Sequence, residues 1–123
     1  MVFDTDVFIW IQRGSKRAAQ LFERQIDRCI AVQTYMEILQ CAQDRAQQAV
    51  ARRFQKDFNA RTLLFSPETG DRAMSQQYAL PHNMRAGDAL IAATALEAAL
   101  PLCTSNVKHS RAISLLEGVR LVP

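Results

Sequence analysis

The first ten residues, MVFDTDVFIW (residues 1–10), place two carboxylates, Asp4 and Asp6, inside a run of apolar side chains. Residues 1–6 read as a β-strand, and a short helix over 7–13 is predicted to follow and to end at Gly14. Such a run is directed towards the core, where an isolated carboxylate is costly or takes up a proton. The two acids therefore either face water or meet a positive partner.

Beyond this stretch, short apolar runs rich in β-formers alternate with longer helical patterns. Further strands are predicted at 28–32, 62–66, 101–104 and 119–122. Helices are predicted at 15–27 with Ser15 as the cap, after Thr34, over 45–59, from Pro67, over 86–100, and before Gly118. This alternation predicts the α/β class, with a parallel sheet covered by helices on both faces.

Length and composition limit the classes of protein to consider. The chain has 123 residues, 49% of them hydrophobic and 22% charged, which is typical of one soluble globular domain over 1–123. The longest apolar run, 89–96, is much shorter than a membrane span, and no basic segment followed by an apolar run opens the chain. We therefore expect a cytoplasmic location and no membrane partner. The net charge of +3 mildly favours an acidic partner.

The cysteines do not form a metal-binding motif. Cys29, Cys41 and Cys103 are an odd number without a C-x-x-C pair, and only His82 and His109 accompany them. No zinc pattern can be drawn from these residues, so we expect the thiols to be reduced and packed as small apolar groups.

Oxygen-bearing side chains follow several predicted strands at the point where each strand ends. Because the carboxyl ends of parallel strands meet at one edge of a sheet, these side chains should lie close together. Crowded carboxylates repel one another, and a hard cation such as Mg²⁺ or Mn²⁺ relieves that repulsion. Such an ion activates water and polarises a phosphodiester, so the pattern predicts hydrolysis of nucleic acid. The side chains are Asp4 and Asp6 after the first strand, Glu37 in the helix after the second, Asp88 at the start of the central helix, and Thr104, Ser105 and Asn106 after the fourth strand.

Structural interpretations of the same acids stay open at this point. Asp6 can be the N-cap of the first helix instead of a ligand. Thr34 and Glu37 have the spacing of a capping box, T-x-x-E. Asp88 can cap the central helix or favour its positive end. Thr104 is either an ordinary strand-end residue or a hydroxyl that orients Asp4 or a metal-bound water.

Features of the sequence also suggest two other function classes. His82 and His109 suggest a metal-independent ribonuclease that works by general acid–base transfer, although nothing in the sequence brings them together. A phospho-accepting receiver domain needs an Asp at the end of its third strand. The segment LLFSPET (63–69) has none, so the receiver interpretation is excluded.

Four blocks of sequence together resemble a known family. DTD (4–6), TYMEILQ (34–40), GDALIAATAL (87–96) and TSNVKH (104–109) occur in the order and spacing of PIN-domain ribonucleases. The similarity is greatest to the VapC-type toxins of toxin–antitoxin pairs, and it covers essentially the whole chain. It implies a three-layer α/β/α sandwich with a parallel central sheet of four to five strands.

The resemblance also implies an activity, a cofactor and partners. It implies an endoribonuclease that uses Mg²⁺ or Mn²⁺ held by Asp4, Glu37 and Asp88, with Thr104 and Asn106 completing the catalytic set. The family often has Asp where this chain has Asn106, so a second metal position should be weak. The implied partners are an RNA substrate, a cognate antitoxin and a second copy of the chain. The alternative is a catalytically weak or inactive PIN-fold module that binds RNA or protein.

Overall fold

A parallel sheet forms the centre of the structure, which is a computed structural model that describes residues 1–57, 59–79, 85–104 and 118–119. The strands in this part of the chain are β1 (Val2–Phe3), β2 (Cys29–Ala31), β3 (Arg61–Leu63), β4 (Leu102–Cys103) and β5 (Gly118–Val119). The helices are α1 (Thr5–Gln12), α2 (Lys16–Arg24), α3 (Val32–Gln40), α4 (Arg45–Asp57), α5 (Pro67–Ala79) and α6 (Ala86–Glu97).

The sheet order is β3-β2-β1-β4-β5, and every pairing is parallel. β1 is the central strand, since Val2 pairs with Cys29 of β2 on one side and with Leu102 of β4 on the other. The parallel sheet predicted from the alternation of strands and helices is therefore confirmed. Its carboxyl-terminal edge is formed at the centre by the ends of β1, β2 and β4.

Successive side chains of the central strands enter different cores on the two faces of the sheet. On one face, Phe3 of β1 and Ile30 of β2 pack with Phe8 of α1 and Phe22 of α2. On the other face, Val2 packs in a cluster that includes Ile91 of α6. All six side chains are at most 3% exposed. Both faces are covered, which confirms the three-layer α/β/α arrangement.

The first strand is shorter and the first helix begins earlier than predicted. β1 ends at Phe3, and α1 begins at Thr5 because Asp4 occupies the N-cap and accepts a hydrogen bond from the Thr5 backbone N–H at 2.7 Å. Asp6 is therefore the second residue of α1, and the alternative that Asp6 caps this helix is wrong.

The helix after β2 also begins earlier. α3 starts at Val32 directly after the strand, and its cap position is Ala31, whose methyl group offers no acceptor. Thr34 is buried inside the helix, so the capping box of Thr34 and Glu37 is wrong. Glu37 lies in the second turn instead, where its side chain is available for tertiary contacts.

Several other helices begin where the sequence predicts, although α2 ends at Arg24, before the predicted end at residue 27. Ser15 caps α2 by accepting from the Ala18 N–H at 3.2 Å, and Gly14 before it has a positive φ of 87°. Pro67 begins α5. The predicted turn at 81–84 and the last predicted helix lie outside the described residues. Within the described part of the chain, no helix is long and apolar enough to cross a membrane.

Candidate active site

Asp4 is held at the carboxyl end of the central strand by three hydrogen bonds. Its backbone N–H donates to the Cys103 carbonyl of β4 at 2.9 Å. One carboxylate oxygen, Oδ1, accepts from the Thr5 N–H at the start of α1, and the other, Oδ2, accepts from the Thr104 hydroxyl at 2.8 Å. The carboxylate therefore has a fixed orientation.

Thr104 brings two carboxylates together. It follows β4 directly, is 2% exposed, and its Oγ1 lies 2.8 Å from Asp4 Oδ2 and 3.3 Å from Asp6 Oδ2. A hydroxyl has one proton to donate, so the two carboxylates share a single donor. Thr104 is thus more than an ordinary strand-end residue, and the expectation that it orients Asp4 is consistent with this contact.

The electrostatic environment of Asp4 disfavours its charge. Burial, together with the smaller effects of the neighbouring charges of Asp6 and then Asp88, raises its pKa from 3.8 to about 7, although the hydrogen bonds from Thr104 and Thr5 oppose the rise. The metal-free site therefore favours the protonated form of Asp4 more than water does. A bound cation would favour the ionised form, which is the property expected of a metal ligand.

Asp88 belongs to the same electrostatic cluster. It is the third residue of α6, and its charge acts on Asp4 across the site. The cap position is Arg85, so the alternative that Asp88 is the helix cap is wrong. Its place in the first turn, near the positive end of the helix, is nevertheless favourable for a carboxylate.

Glu37 is held by two side chains, Thr5 and Gln33, whose contacts were not predicted from the sequence. The Thr5 hydroxyl donates to its Oε2, and the Gln33 side-chain amide donates to its Oε1 at 3.3 Å. The available signals were the position of Thr5 between two aspartates and the i, i+4 spacing of Gln33 and Glu37. Neither signal predicts a contact with Glu37 unless the residue at which α3 begins is known.

Cys103 lies beside the same acids and is chemically quiet. It is buried, and burial, together with the charges of Asp6 and Asp4, raises its pKa to about 12. The thiol therefore stays protonated and does not act as a nucleophile. Within the described residues Cys29, Cys41 and Cys103 are free, as predicted, and Cys29 and Cys103 are buried, but Cys41 is exposed, so the prediction that it is packed is wrong.

The donor set suits a hard cation, although it is not a closed cage. Across residues 1–57, 59–79, 85–104 and 118–119, no group of three or more His, Cys, Asp or Glu side chains is close enough together to hold a metal ion. Mg²⁺ is usually bound by one or two carboxylates and keeps several waters, so an open set of oxygen ligands fits it. Asn106 lies outside the described residues.

Comparison with known proteins gives the family. Residues 1–113 match the PIN domain. A toxin–antitoxin complex from Klebsiella pneumoniae has a similar structure, with a TM-score of 0.79, 25% identity and 94% of each chain covered. No curated protein matched the sequence.

Two further solved structures share the fold. VapBC-1 from nontypeable Haemophilus influenzae has a TM-score of 0.82 at 19% identity, with 98% of each chain covered. DNA-bound VapBC from Salmonella typhimurium has a TM-score of 0.78 at 17% identity, covering 97% of this chain and 96% of that one. The family match spans most of the chain, and the TM-scores show that these structures share its fold. The chain belongs to the PIN-domain family.

Proposed function

We propose that this protein is a Mg²⁺- or Mn²⁺-dependent endoribonuclease, the toxin of a toxin–antitoxin pair. The observation that carries the proposal is the cluster of Asp4, Asp6 and Thr104 at the carboxyl edge of the central strands, with the charge of Asp88 acting on Asp4. PIN-domain proteins are generally nucleases that use divalent metals, and acids crowded around an oxygen-only site supply the ligands for one.

Asp4, Asp88 and Glu37 are the residues that would hold the ion together with bound waters, because no three acids of the described residues are close enough together to hold it alone. When bound, it would polarise the phosphodiester and lower the pKa of an attacking water. A bound cation would favour the ionised form of Asp4, and the hydrogen bond from Thr104 fixes the direction of that carboxylate. The hydroxyl of Thr5 and the side-chain amide of Gln33 each donate to the Glu37 carboxylate and hold its orientation.

The metal requirement has a direct test. Total RNA is incubated with the wild-type protein and with Asp88→Asn, each in Mg²⁺ and in EDTA. We expect cleavage only by the wild type in Mg²⁺, with loss of the Asp88 carboxylate reducing the rate by several orders of magnitude. Cleavage that continues unchanged in EDTA would contradict the proposal and point to His82 and His109 instead.

The proposed partners are a cognate antitoxin and a second copy of the chain. The solved structures similar to this chain include toxin–antitoxin complexes. A groove of about 450 Å³ between α1, α3 and α4 is lined by Ile38, Cys41 and Ala46 among other residues, and we propose it as a contact surface for such a partner. An arginine from an antitoxin tail would pair with Asp4 and Asp88 and compete with the cation. Purification from the native source tests this: a chain that emerges alone and active contradicts it.

Two observations favour a second candidate function. The described residues contain no closed group of three metal-binding side chains, and Asn106 stands where the family often has an acid. A weak or inactive PIN-fold module that binds RNA or protein would have this composition. RNA binding by the wild type in Mg²⁺ without any cleavage would favour this second function over the first.

A further inference from the structure

Gly87 creates the space in which the Glu37 carboxylate sits. A Cβ added to Gly87 would lie 2.5 Å from Glu37 Oε1 and 3.2 Å from Gln33 Nε2, and the first of these distances is too short to exist without movement. Gly87 is the second residue of α6 and has an ordinary helical backbone. Glycine costs a helix about 1 kcal/mol relative to alanine, so backbone conformation does not explain it. The close approach of the Glu37 side chain of α3 to the start of α6 explains why a glycine is at this position.

Gln33 occupies the other side of the same carboxylate. Gln33 and Glu37 are one turn apart on α3, and the Gln33 amide donates to Oε1 while the Thr5 hydroxyl donates to Oε2. Each carboxylate oxygen therefore has a donor of its own, one from α3 and one from α1. The side chain is confined between these donors and the first turn of α6, where the helix dipole favours negative charge.

We propose that Gln33 and Gly87 are positioning residues for Glu37, and this inference rests on the proposed metal-dependent function. Gln33 fixes the rotation of the carboxylate by its hydrogen bond. Gly87 fixes the distance, because the missing Cβ lets the carboxylate approach the start of α6, the helix that carries Asp88. Together they hold the Glu37 carboxylate beside the first turn of α6 and beside Thr5, the residue between Asp4 and Asp6 in the chain.

A purely structural role for the pair gives different expectations. An i, i+4 Gln–Glu pair on a helix surface contributes only a few tenths of a kcal/mol, and alanine is a better helix former than glycine. On that interpretation Gly87→Ala stabilises the protein, and neither side chain affects metal binding. The contact of Gly87 with the Glu37 carboxylate predicts the reverse for both measurements.

Calorimetric titration of MnCl₂ into the metal-free protein tests the role. We expect Gly87→Ala and Gln33→Met each to weaken Mn²⁺ binding about tenfold, the usual effect of losing a group that orients a ligand. Two matched controls should bind as the wild type does: Gly70→Ala in α5, where an added Cβ meets no described atom within 4 Å, and Gln48→Met on the exposed surface of α4. In a Glu37→Gln background the effect of Gln33→Met should disappear, because both act through one carboxylate.

Melting curves without metal give a second readout. Gly87→Ala should lower the melting temperature of the wild type but raise that of Glu37→Ala, where the obstructing carboxylate is gone, whereas Gly70→Ala should raise both. If the wild type binds Mn²⁺ and both variants bind it equally well, the positioning role is wrong and the proposed function stands. If the wild type neither binds Mn²⁺ nor cleaves RNA, the proposed function and the positioning role are overturned together.

Discussion

The Thr104 hydroxyl donates to Asp4 Oδ2 at 2.8 Å, although the two residues are 100 positions apart in the chain. The contact joins the end of β4 to the end of β1, and the same hydroxyl lies 3.3 Å from Asp6 Oδ2. Parallel pairing of the two strands brings both ends to one edge, and burial makes the contact strong, because Thr104 is only 2% exposed.

Removing this hydroxyl should weaken metal binding without unfolding the protein. Thr104→Val keeps the shape of the side chain but takes away the bond that lowers the pKa of Asp4, so that pKa should rise further. We expect Mn²⁺ affinity near neutral pH to fall about tenfold, measured by calorimetry. Thr104→Ser should retain most of the affinity. Thr94→Val, which loses a bond within α6, controls for removal of a buried hydroxyl, and an equal loss of affinity there would argue against a specific role for Thr104.

The charge of Asp88 should destabilise the metal-free protein. It raises the pKa of Asp4 by repulsion, so Asp88→Asn should leave the melting temperature without metal unchanged or raise it. At ten times the dissociation constant, Mn²⁺ should stabilise the wild type by about 1.4 kcal/mol, or roughly 4–8 °C, and should do little for the variant. Melting curves at pH 7.5 with and without Mn²⁺ are sufficient. A variant that is much less stable yet gains as much from Mn²⁺ as the wild type would assign Asp88 a structural role.

The free energy of unfolding should depend on pH through Asp4. Its pKa is raised from 3.8 to about 7 on folding, so the folded state holds the proton more tightly than the unfolded chain. This group's stabilisation is complete below about pH 4 and is lost as the pH rises to about 7. Asp4→Asn should remove that slope while still capping α1. Urea titrations of both proteins across this range measure the difference, and parallel curves would show that Asp4 ionises normally.

An acid at position 106 should improve metal binding. Asn106 supplies an amide where the family often has a carboxylate, so Asn106→Asp should add a charged ligand and tighten the binding of a second Mn²⁺ ion. Calorimetric titration of both forms compares the affinities. An unchanged affinity would place residue 106 outside the coordination shell.

Two exposed apolar side chains on α5 lead us to expect that the protein self-associates. Met74 and Tyr78 lie one turn apart and are 65% and 91% exposed, and adjacent apolar surface of this kind commonly marks an interface. We expect a dimer in sedimentation experiments and dissociation in Tyr78→Glu. Ile26→Glu is the matched control, since Ile26 is 99% exposed between α2 and β2. Monomeric wild-type protein, or dissociation by the control alone, would rule out this face.

The α/β class, and the edge of the sheet at which the candidate site lies, were predictable from the sequence alone. Strands and helices alternate in a regular order, and parallel strands must end at the same edge, so Asp4 and Thr104 could be placed together before any contact was known. The charge of Asp88, which acts on Asp4, agrees with that placement. The four sequence blocks led to the PIN-domain family, which the comparison confirmed.

The hydrogen bonds that hold each acid could not be predicted from the sequence, because they depend on where the helices start and how they pack. Successive helical residues are rotated by about 100°, so a helix that starts at Val32 directs Glu37 to Thr5 and Gln33, whereas a start after Thr34 would have made it a cap. Likewise, Asp4 caps α1 and Asp6 does not, because β1 ends at Phe3. The raised pKa of Asp4 and the space beside Gly87 depend on burial and on the distance between packed helices. Periodicity along the chain specifies which face a residue occupies, but it does not specify these distances.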